Sequence, residues 1–276
     1  MTVENILSVD LEDWYHICGV RDRIPEESWP RLESRVEAGT LKILDIFAKR
    51  GVKATFFVLG FVAEKHPALV KKIEAAGHEI GLHGYSHRRV YTMTPDMFRQ
   101  DLKKAVDVVS EIVDAPVKGF RAPEWSIRDD SLWALDILHE VGFAFDSSMA
   151  PLRIIGNPAY PKVPHEISLA KGSLWEVPPL VAATRAGNLP IGGGWGLRTL
   201  PYGLIRSTIR KLNRQGKPAT IFFHPREFIR DVPRLSGLPL VKKIVVGAKI
   251  VTAEKRLRQL LNDFRFNTVS SYLPSR

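Results

Sequence analysis

Cysteine and long apolar runs are almost absent from this sequence. Cys18 is the single cysteine among 276 residues, which excludes an internal disulfide, and a lone cysteine of this kind is expected to be a small buried hydrophobic residue. No run approaches the ~18–20 apolar residues of a membrane-spanning helix. Residues 1–5 contain neither a basic nor an apolar segment, so no secretory signal is visible. We therefore expect a cytoplasmic protein.

Acidic residues are scarce in the second half of the chain. Residues 151–276 contain 21 Lys and Arg but only 6 Asp and Glu, whereas residues 1–150 contain 19 and 24, and the net charge is +10. We interpret the basic half as a solubilising surface, with peripheral contact to an anionic polymer or to the inner face of a membrane as the alternative. No zinc finger or aromatic–basic repeat is present, so no nucleic-acid partner is expected. The oligomeric state stays open.

Strand-like and helix-like segments alternate along the chain, and a composition of 45% hydrophobic and 25% charged residues is that of a globular protein. The hydrophobic pattern predicts strands at 5–11, 53–59, 78–82, 117–120, 143–145, 174–179, 219–223 and 266–270. It predicts helices at 41–50, 62–76, 95–113, 129–140, 201–215 and 252–264. Short connections between alternating elements are typical of a barrel or sheet of βα units, whose functional residues lie at the carboxyl ends of the strands.

Two histidines four residues apart, His83 and His87, follow the third predicted strand. If the residues after the strand form one helical turn, both imidazoles lie on one side of it. Two imidazoles and one carboxylate can form a metal site with positions left open for water and substrate. Two polar surface histidines, or a helix cap, are the alternative interpretations.

Three carboxylates, Asp10, Glu12 and Asp13, stand at the end of the first predicted strand. The strand repeat places Asp10 and Glu12 on one face, with Asp13 at the turn. Carboxylates here are costly to bury unless they bind a cation or work as acid and base. A hydrophilic loop is the simpler alternative, but Asp10 still lies within the strand.

Further polar residues end other strands, namely Arg121, Asp146 and His224. In a βα fold they would meet at one face, where their types suit metal-assisted hydrolysis of an amide or ester. Trp125 closely follows Arg121, and Trp195 lies in the glycine-rich loop 192–196. Both are candidate substrate-binding residues. Trp195 could stack on a sugar ring or cover a pocket, and an anchor in the core is the alternative.

Five motifs in this order resemble the polysaccharide deacetylases of the NodB-homology type, carbohydrate esterase family 4. They are Asp10-Leu11-Glu12-Asp13, His83-Gly84-Tyr85-Ser86-His87, Arg121-Ala122-Pro123, Phe145-Asp146-Ser147-Ser148 and Phe222-Phe223-His224-Pro225. The resemblance covers most of residues 1–150 and the strand at 219–227. The form of the first, third and fifth motifs is most similar to the bacterial subgroup found with exopolysaccharide biosynthesis.

The resemblance implies an α/β fold, a distorted (β/α) barrel of about seven strands. We expect a single domain over 1–276, with 150–200 as a Pro/Gly-rich insert and 229–276 as a basic C-terminal extension. It also implies removal of N-acetyl groups from the amino sugars of a polysaccharide or of its lipid-linked precursor. Alternatives are a metal-independent amidase that acts on a cyclic amide or ureide, and an inactive carbohydrate-binding module.

Residue roles follow from the same resemblance. A divalent metal, expected to be zinc, is assigned to Asp13, His83 and His87. Asp10 is assigned as the base, Arg121 as its positioning residue, and His224 as the acid oriented by Asp146. This sequence departs from the usual motif of adjacent aspartates, so Glu12 is the alternative for either carboxylate role. Gly84 replaces a usual Ser or Thr, and Ser86 is a candidate to supply that hydroxyl.

Overall fold

A nine-stranded sheet forms the centre of the computed structural model, which describes residues 3–17, 20–229 and 250–274. Its strands run in the order β10-β1-β2-β3-β4-β5-β7-β6, and β11 also pairs with β1. All pairings are parallel except that of β6 with β7. The sheet strands are β1 (Glu4–Leu11), β2 (Thr55–Val58), β3 (Glu79–Leu82), β4 (Gly119–Phe120), β5 (Phe145–Asp146), β6 (His165–Leu169), β7 (Gly172–Glu176), β10 (Thr220–Phe223) and β11 (Arg265–Asn267).

Helices alternate with these strands, and a separate two-stranded hairpin joins β8 (Val181–Thr184) to β9 (Gly187–Pro190). The helices are α1 (Val36–Ala48), α2 (Gly60–Lys65), α3 (Pro67–Ala75), α4 (Pro95–Ser110), α5 (Trp133–Val141), α6 (Gly194–Thr199), α7 (Tyr202–Arg214) and α8 (Ala253–Asp263). The predicted α/β class with a mainly parallel sheet is confirmed. Within the described ranges, no helix is long and apolar enough to cross a membrane.

Local sequence explains most helix boundaries. Thr94 caps α4 by accepting a hydrogen bond from the Met97 amide at 3.2 Å, and Pro95 is the first residue of the helix. The helix predicted at 62–76 is instead two helices. Pro67 starts the second one, because proline lacks the N–H that would continue the first.

Residues 150–200 contain two antiparallel hairpins, β6–β7 and β8–β9. Only β7 overlaps a predicted strand, at 174–179. The central sheet contains strands that precede residue 150 and strands that follow it, since β7 pairs with β5 and β10 pairs with β1. The single-domain organisation stays a prediction. Cys18 and residues 230–249 of the expected basic extension 229–276 lie outside the described residues.

The two faces of β1 have different surroundings, and this difference positions the site. Leu7, Val9 and Leu11 face the large core that packs the sheet against the helices. On the other face, Ile6 belongs to a small apolar cluster with Phe57, Phe145, Val177 and Val269. Further along that face come Ser8 and Asp10, so the apolar lining gives way to polar groups at the carboxyl ends of the strands.

Candidate metal and hydrolase site

Glu12, His83 and His87 form the centre of the site. In the part of the chain that the structure describes, they are the one group of metal-ligating side chains whose ligand atoms all lie within 4.8 Å of one another. Glu12 Oε2 lies 2.5 Å from His87 Nε2 and 4.0 Å from His83 Nε2. All three side chains are buried. The arrangement is that of two imidazoles and one carboxylate facing a common point.

A tight loop, not the helical turn considered from the sequence, brings the histidines together. Gly84 has φ +71° and His87 has φ +52°, both in the left-handed region. Asp101, on α4, fixes this loop by accepting hydrogen bonds from the Tyr85 amide at 2.8 Å, from the Ser86 amide at 3.1 Å and from the Ser86 hydroxyl. A Cβ at position 84 would lie 3.1 Å from the Asp101 carboxylate, so Gly84 also permits this close approach.

The electrostatics of this group suit a divalent cation. His83 Nδ1 donates a hydrogen bond to the Arg121 carbonyl oxygen at 2.7 Å, which leaves Nε2 facing Glu12. Burial lowers the pKa of His83 to about 4, although Asp10 partly opposes the shift, so the imidazole is neutral and has a lone pair to donate. Burial alone would raise the pKa of Glu12, but His87 lowers it well below its ordinary value. One carboxylate oxygen and two imidazole nitrogens are a donor set that fits Zn²⁺.

Asp13, the ligand expected from the sequence, faces a different partner. Its Oδ2 accepts hydrogen bonds from the Ser34 hydroxyl at 2.5 Å and from the Arg35 amide at 3.0 Å, and its Oδ1 accepts from the Trp14 amide at 2.8 Å. Asp13 thus caps the amino end of α1, which begins at Val36, and is absent from the metal-ligating group. The structure places the alternative carboxylate, Glu12, beside the histidines instead.

Asp10 lies beside this group and forms a buried ion pair with Arg121. Arg121 Nη1 donates to Asp10 Oδ1 at 2.6 Å and to the Ser8 hydroxyl at 2.9 Å. Its Nε donates to the Ser147 carbonyl oxygen at 3.3 Å, and its Nη2 donates to the Ser147 hydroxyl at 2.8 Å. Its guanidinium also stacks on Phe57, with 4.1 Å from Cζ to the ring centre. Asp10 Oδ1 is therefore fixed by Arg121, and Oδ2 lies 3.8 Å from His224 Nε2.

His224 follows β10 and approaches the other side of Asp10 and Glu12. Its Nε2 lies 3.7 Å from Glu12 Oε1. Its Nδ1 faces Glu227, with 3.7 Å to Oε1. Burial would lower the pKa of His224, but the Glu227 carboxylate outweighs that effect and raises it.

Asp146, expected to orient His224, is paired elsewhere. It lies opposite Glu176 in the register of β5 and β7, and the two buried carboxyl groups affect each other's pKa. Asp146 Oδ1 also accepts from the Ser148 hydroxyl at 2.5 Å. Burial raises the pKa of Asp146 to about 6, and it raises the pKa of Glu176 well above its ordinary value, with a further increase from Asp146. Two adjacent buried carboxyls hold one proton between them.

The two predicted substrate-binding tryptophans lie in different surroundings. Trp125 is buried, with φ +55°, and packs on Phe222 at a ring-centre distance of 5.4 Å. The Arg121 guanidinium lies 4.5 Å from the Trp125 ring centre. Trp195 is half-buried in α6. Trp125 therefore forms the wall behind Arg121, and its role in substrate binding stays a prediction, as does that of Trp195.

Sequence reasoning missed the carboxylates that accompany the motif residues. Glu227 and Glu176 are both fully buried, and the first is paired with the buried Arg198, whose Nε lies 3.2 Å from Glu227 Oε1. The spacing of His224 and Glu227, three residues apart across a proline, is a local signal that could have revealed one of them. Glu176 left no such signal, because its partner is 30 residues away.

Comparisons with known proteins bear on this site. Residues 29–144 match the family model "Polysaccharide deacetylase", and residues 147–274 match a domain of unknown function, DUF3473. The peptidoglycan-N-acetylglucosamine deacetylase of Bacillus cereus is 39% identical over 98 residues, which are 35% of this chain and 36% of the relative. The peptidoglycan deacetylase of Helicobacter pylori is 28% identical over 170 residues, 60% of this chain and 56% of the relative.

The chitooligosaccharide deacetylase of Sinorhizobium fredii is 34% identical over 94 residues, 34% of this chain and 44% of the relative. The chain thus spans between about a third and just over half the length of these curated relatives. A solved structure titled a putative polysaccharide deacetylase from Mycobacterium smegmatis has a TM-score of 0.61 at 21% identity, covering 97% of this chain and 88% of the other. The Puue allantoinase has a TM-score of 0.62 at 14% identity, with 96% and 87% covered.

The structural likenesses establish the shared fold. Residues 29–144 are thus similar to polysaccharide deacetylases, and the named relatives match part of this chain. The named relatives are deacetylases, which are hydrolases.

Proposed function

We propose that this chain is a metal-dependent deacetylase that hydrolyses the N-acetyl groups of amino sugars in a polysaccharide or its precursor and releases acetate. The proposal is based on three features that the structure brings close together. They are a group of three candidate metal ligands, a carboxylate that is held by an arginine, and a histidine. Glu12, His83 and His87 form the first of these, and His224 Nε2 lies 3.7 Å from Glu12 Oε1 and 3.8 Å from Asp10 Oδ2. The deacetylase names of the relatives support the same activity.

Glu12, His83 and His87 would hold the metal. A divalent cation bound there supplies Lewis-acid polarisation of the acetamide carbonyl and lowers the pKa of a water molecule. Among the residues proposed from the sequence, Glu12 takes the place of Asp13 in the ligand set, because the Asp13 oxygens are committed to the start of α1.

Asp10 acts as the base in this proposal. Its Oδ1 is fixed by Arg121, and its Oδ2 is the oxygen that receives the proton of the attacking water. His224 acts as the acid, because its Nε2 faces the same space and can protonate the departing nitrogen. The ion pair with Arg121 fixes the Asp10 carboxylate for this role.

The natural substrate is inferred from the form of the first, third and fifth sequence motifs. We propose an exopolysaccharide or its lipid-linked precursor as the natural substrate, and zinc as the metal. The relatives named for peptidoglycan and chitooligosaccharides indicate N-acetylglucosamine oligomers as practical probe substrates.

Acetate release from N-acetylglucosamine oligomers tests the proposal. The protein is stripped with a chelator and then titrated with Zn²⁺, while acetate is measured alongside the metal bound per chain. We expect acetate release to be lost on stripping and to return in proportion to metal, up to one ion per chain. Hydrolysis of allantoin or another ureide by the stripped protein, without acetate release from the oligomers, would instead support the metal-independent amidase.

A further inference from the structure

We propose that Glu227, held in place by Arg198, positions His224 as the proton donor to the leaving nitrogen. This inference rests on the proposed deacetylase function. It assigns to Glu227 the role that the family resemblance implied for Asp146. The inference is based on the contacts of the His224 ring and on the pairing of Asp146 with other residues.

A short turn brings Glu227 back onto His224. Pro225 begins a 3₁₀ turn, Pro225–Phe228, directly after His224. Glu227 Oε2 accepts a hydrogen bond from the His224 amide at 3.2 Å, so the carboxylate lies against the residue that it serves. The turn packs closely on α1, because a Cβ at Gly39 would lie 2.0 Å from the Pro225 carbonyl oxygen. Glu227 and His224 therefore belong to one tightly packed unit.

The facing atoms of the His224 and Glu227 side chains are close enough to form a hydrogen bond after a small movement. His224 Nδ1 and Glu227 Oε1 are buried and 3.7 Å apart, and Arg198 Nε lies 3.2 Å from the same Glu227 oxygen. A buried ring nitrogen without a hydrogen-bond partner is unfavourable, so a small rotation that closes the contact between Nδ1 and Oε1 is favoured. A proton held on Nδ1 by Glu227 fixes the plane of the imidazole ring.

Arg198 fixes Glu227 from the opposite side. Its Nε lies 3.2 Å from Glu227 Oε1 and donates to the Gly194 carbonyl at 3.0 Å. Both charged side chains are fully buried, with 0% of each exposed. Arg198 thus ties the carboxylate to α6, a different part of the chain from the turn that contains Glu227.

The other ring nitrogen faces the reaction site. His224 Nε2 lies 3.8 Å from Asp10 Oδ2 and 3.7 Å from Glu12 Oε1. With Nδ1 bound to Glu227, the ring directs its Nε2 proton at this space. Asp146 is not placed to do the same, because it pairs with Glu176 and Ser148.

Asp10 and His224 together account for the proton transfers of the reaction. The water oxygen forms the new bond to the acetyl carbon, and one water proton passes to Asp10. The amide C–N bond breaks, its electron pair stays on nitrogen, and nitrogen takes the Nε2 proton of His224. The proton on Asp10 then returns to His224 across the 3.8 Å gap. The second water proton passes from the acetic acid to the amine, so acetate and the ammonium form of the amine leave.

The test compares two leaving groups, because only one of them needs a proton. An amide nitrogen must be protonated as it departs, whereas 4-nitrophenolate leaves without protonation. For Glu227→Gln at equal bound metal, we expect kcat/KM for acetate release from N-acetylglucosamine oligomers to fall by about 100-fold, within the range of general acid–base catalysis. Hydrolysis of 4-nitrophenyl acetate should stay near the wild-type value. Glu111→Gln, at an exposed position, is the matched control.

Two further variants keep the test sharp. Glu227→Gln should add little to the loss in a His224→Ala background, since both act at one step. Arg198→Lys should show a smaller loss of amide hydrolysis, again with ester hydrolysis retained. This variant replaces Glu227→Gln in the test if Glu227→Gln does not fold. Equal losses on amide and ester, or no loss on either, would overturn the role of Glu227 while leaving the deacetylase proposal intact. Absence of acetate release by the wild-type protein would instead overturn both.

Discussion

Glu12 Oε2 lies 2.5 Å from His87 Nε2, while the carboxylate of the next residue, Asp13, caps α1. The two neighbouring carboxylates therefore have separate tasks. Glu12 completes the group that suits a metal, and Asp13 joins the first strand to the first helix. This division separates effects on metal binding from effects on folding, and it leads to distinct predictions for each residue.

Removal of the Asp13 cap should destabilise the fold. Asp13→Ala leaves the amides of Trp14 and Arg35 and the hydroxyl of Ser34 without their acceptor. We expect the free energy of unfolding to fall by about 2 kcal/mol, from the loss of a cap and of buried hydrogen bonds. Urea denaturation of the metal-free protein measures it. Asp114→Ala, at an exposed position, is the control, and equal stability of the two variants would refute the capping role.

Arg121→Lys should impair catalysis despite keeping the charge. Lysine cannot reproduce the fork that reaches Asp10, Ser8 and Ser147 together, so Asp10 loses its fixed orientation. We expect kcat for acetate release to fall by about 100-fold, with metal content unchanged. Arg99→Lys, in an exposed ion pair with Glu140, should have no effect on kcat. A wild-type kcat for Arg121→Lys would show that Asp10 needs no such positioning.

The Asp146–Glu176 pair should make stability depend on pH. Burial, with the neighbouring Asp146, raises the pKa of Glu176 well above its unfolded value of 4.5. The folded protein thus retains a proton that the unfolded chain releases, so stability is greatest below the unfolded pKa and is lost as pH rises. Glu176→Gln removes this ionisation and can still donate to Asp146. Its stability relative to wild type should therefore increase from about pH 5 to about pH 8.

Denaturant titrations of both proteins across that range measure the effect. Glu111→Gln, an exposed substitution, should show a constant difference from wild type. A constant difference for Glu176→Gln would mean that its carboxyl ionises equally in the folded and unfolded chains.

The fold was largely predictable because its signals are local. The hydrophobic segments matched the parallel strands from β1 to β5, β7 and β10, and the helix predicted at 95–113 corresponds to α4. β6 was missed, because three of its five residues are half-buried and two are exposed, so its apolar pattern is weak. The helix α1 starts five residues earlier than the predicted helix, since its cap, Asp13, lies 22 residues before Arg35.

The candidate site was predictable at the level of residue type but not of partner. The ends of parallel strands meet at one edge of a sheet, so Asp10, His83, Arg121 and His224 were expected to gather, and the structure brings them together. Which carboxylate faces the histidines depends on the loop after β1, whose path is fixed by contacts with Ser34 and Arg35. The pairing of Asp146 with Glu176 likewise depends on sheet register.

Metal binding by Glu12→Gln and Asp13→Asn tests the central claim most directly. Both changes remove a charge from neighbouring residues with little change in size, and Zn²⁺ titration with acetate release from N-acetylglucosamine oligomers measures the outcome. We predict that Glu12→Gln weakens Zn²⁺ binding by more than about 100-fold and abolishes acetate release, while Asp13→Asn binds one ion per chain as the wild type does. Loss of metal and activity in Asp13→Asn, with both retained in Glu12→Gln, would contradict the account.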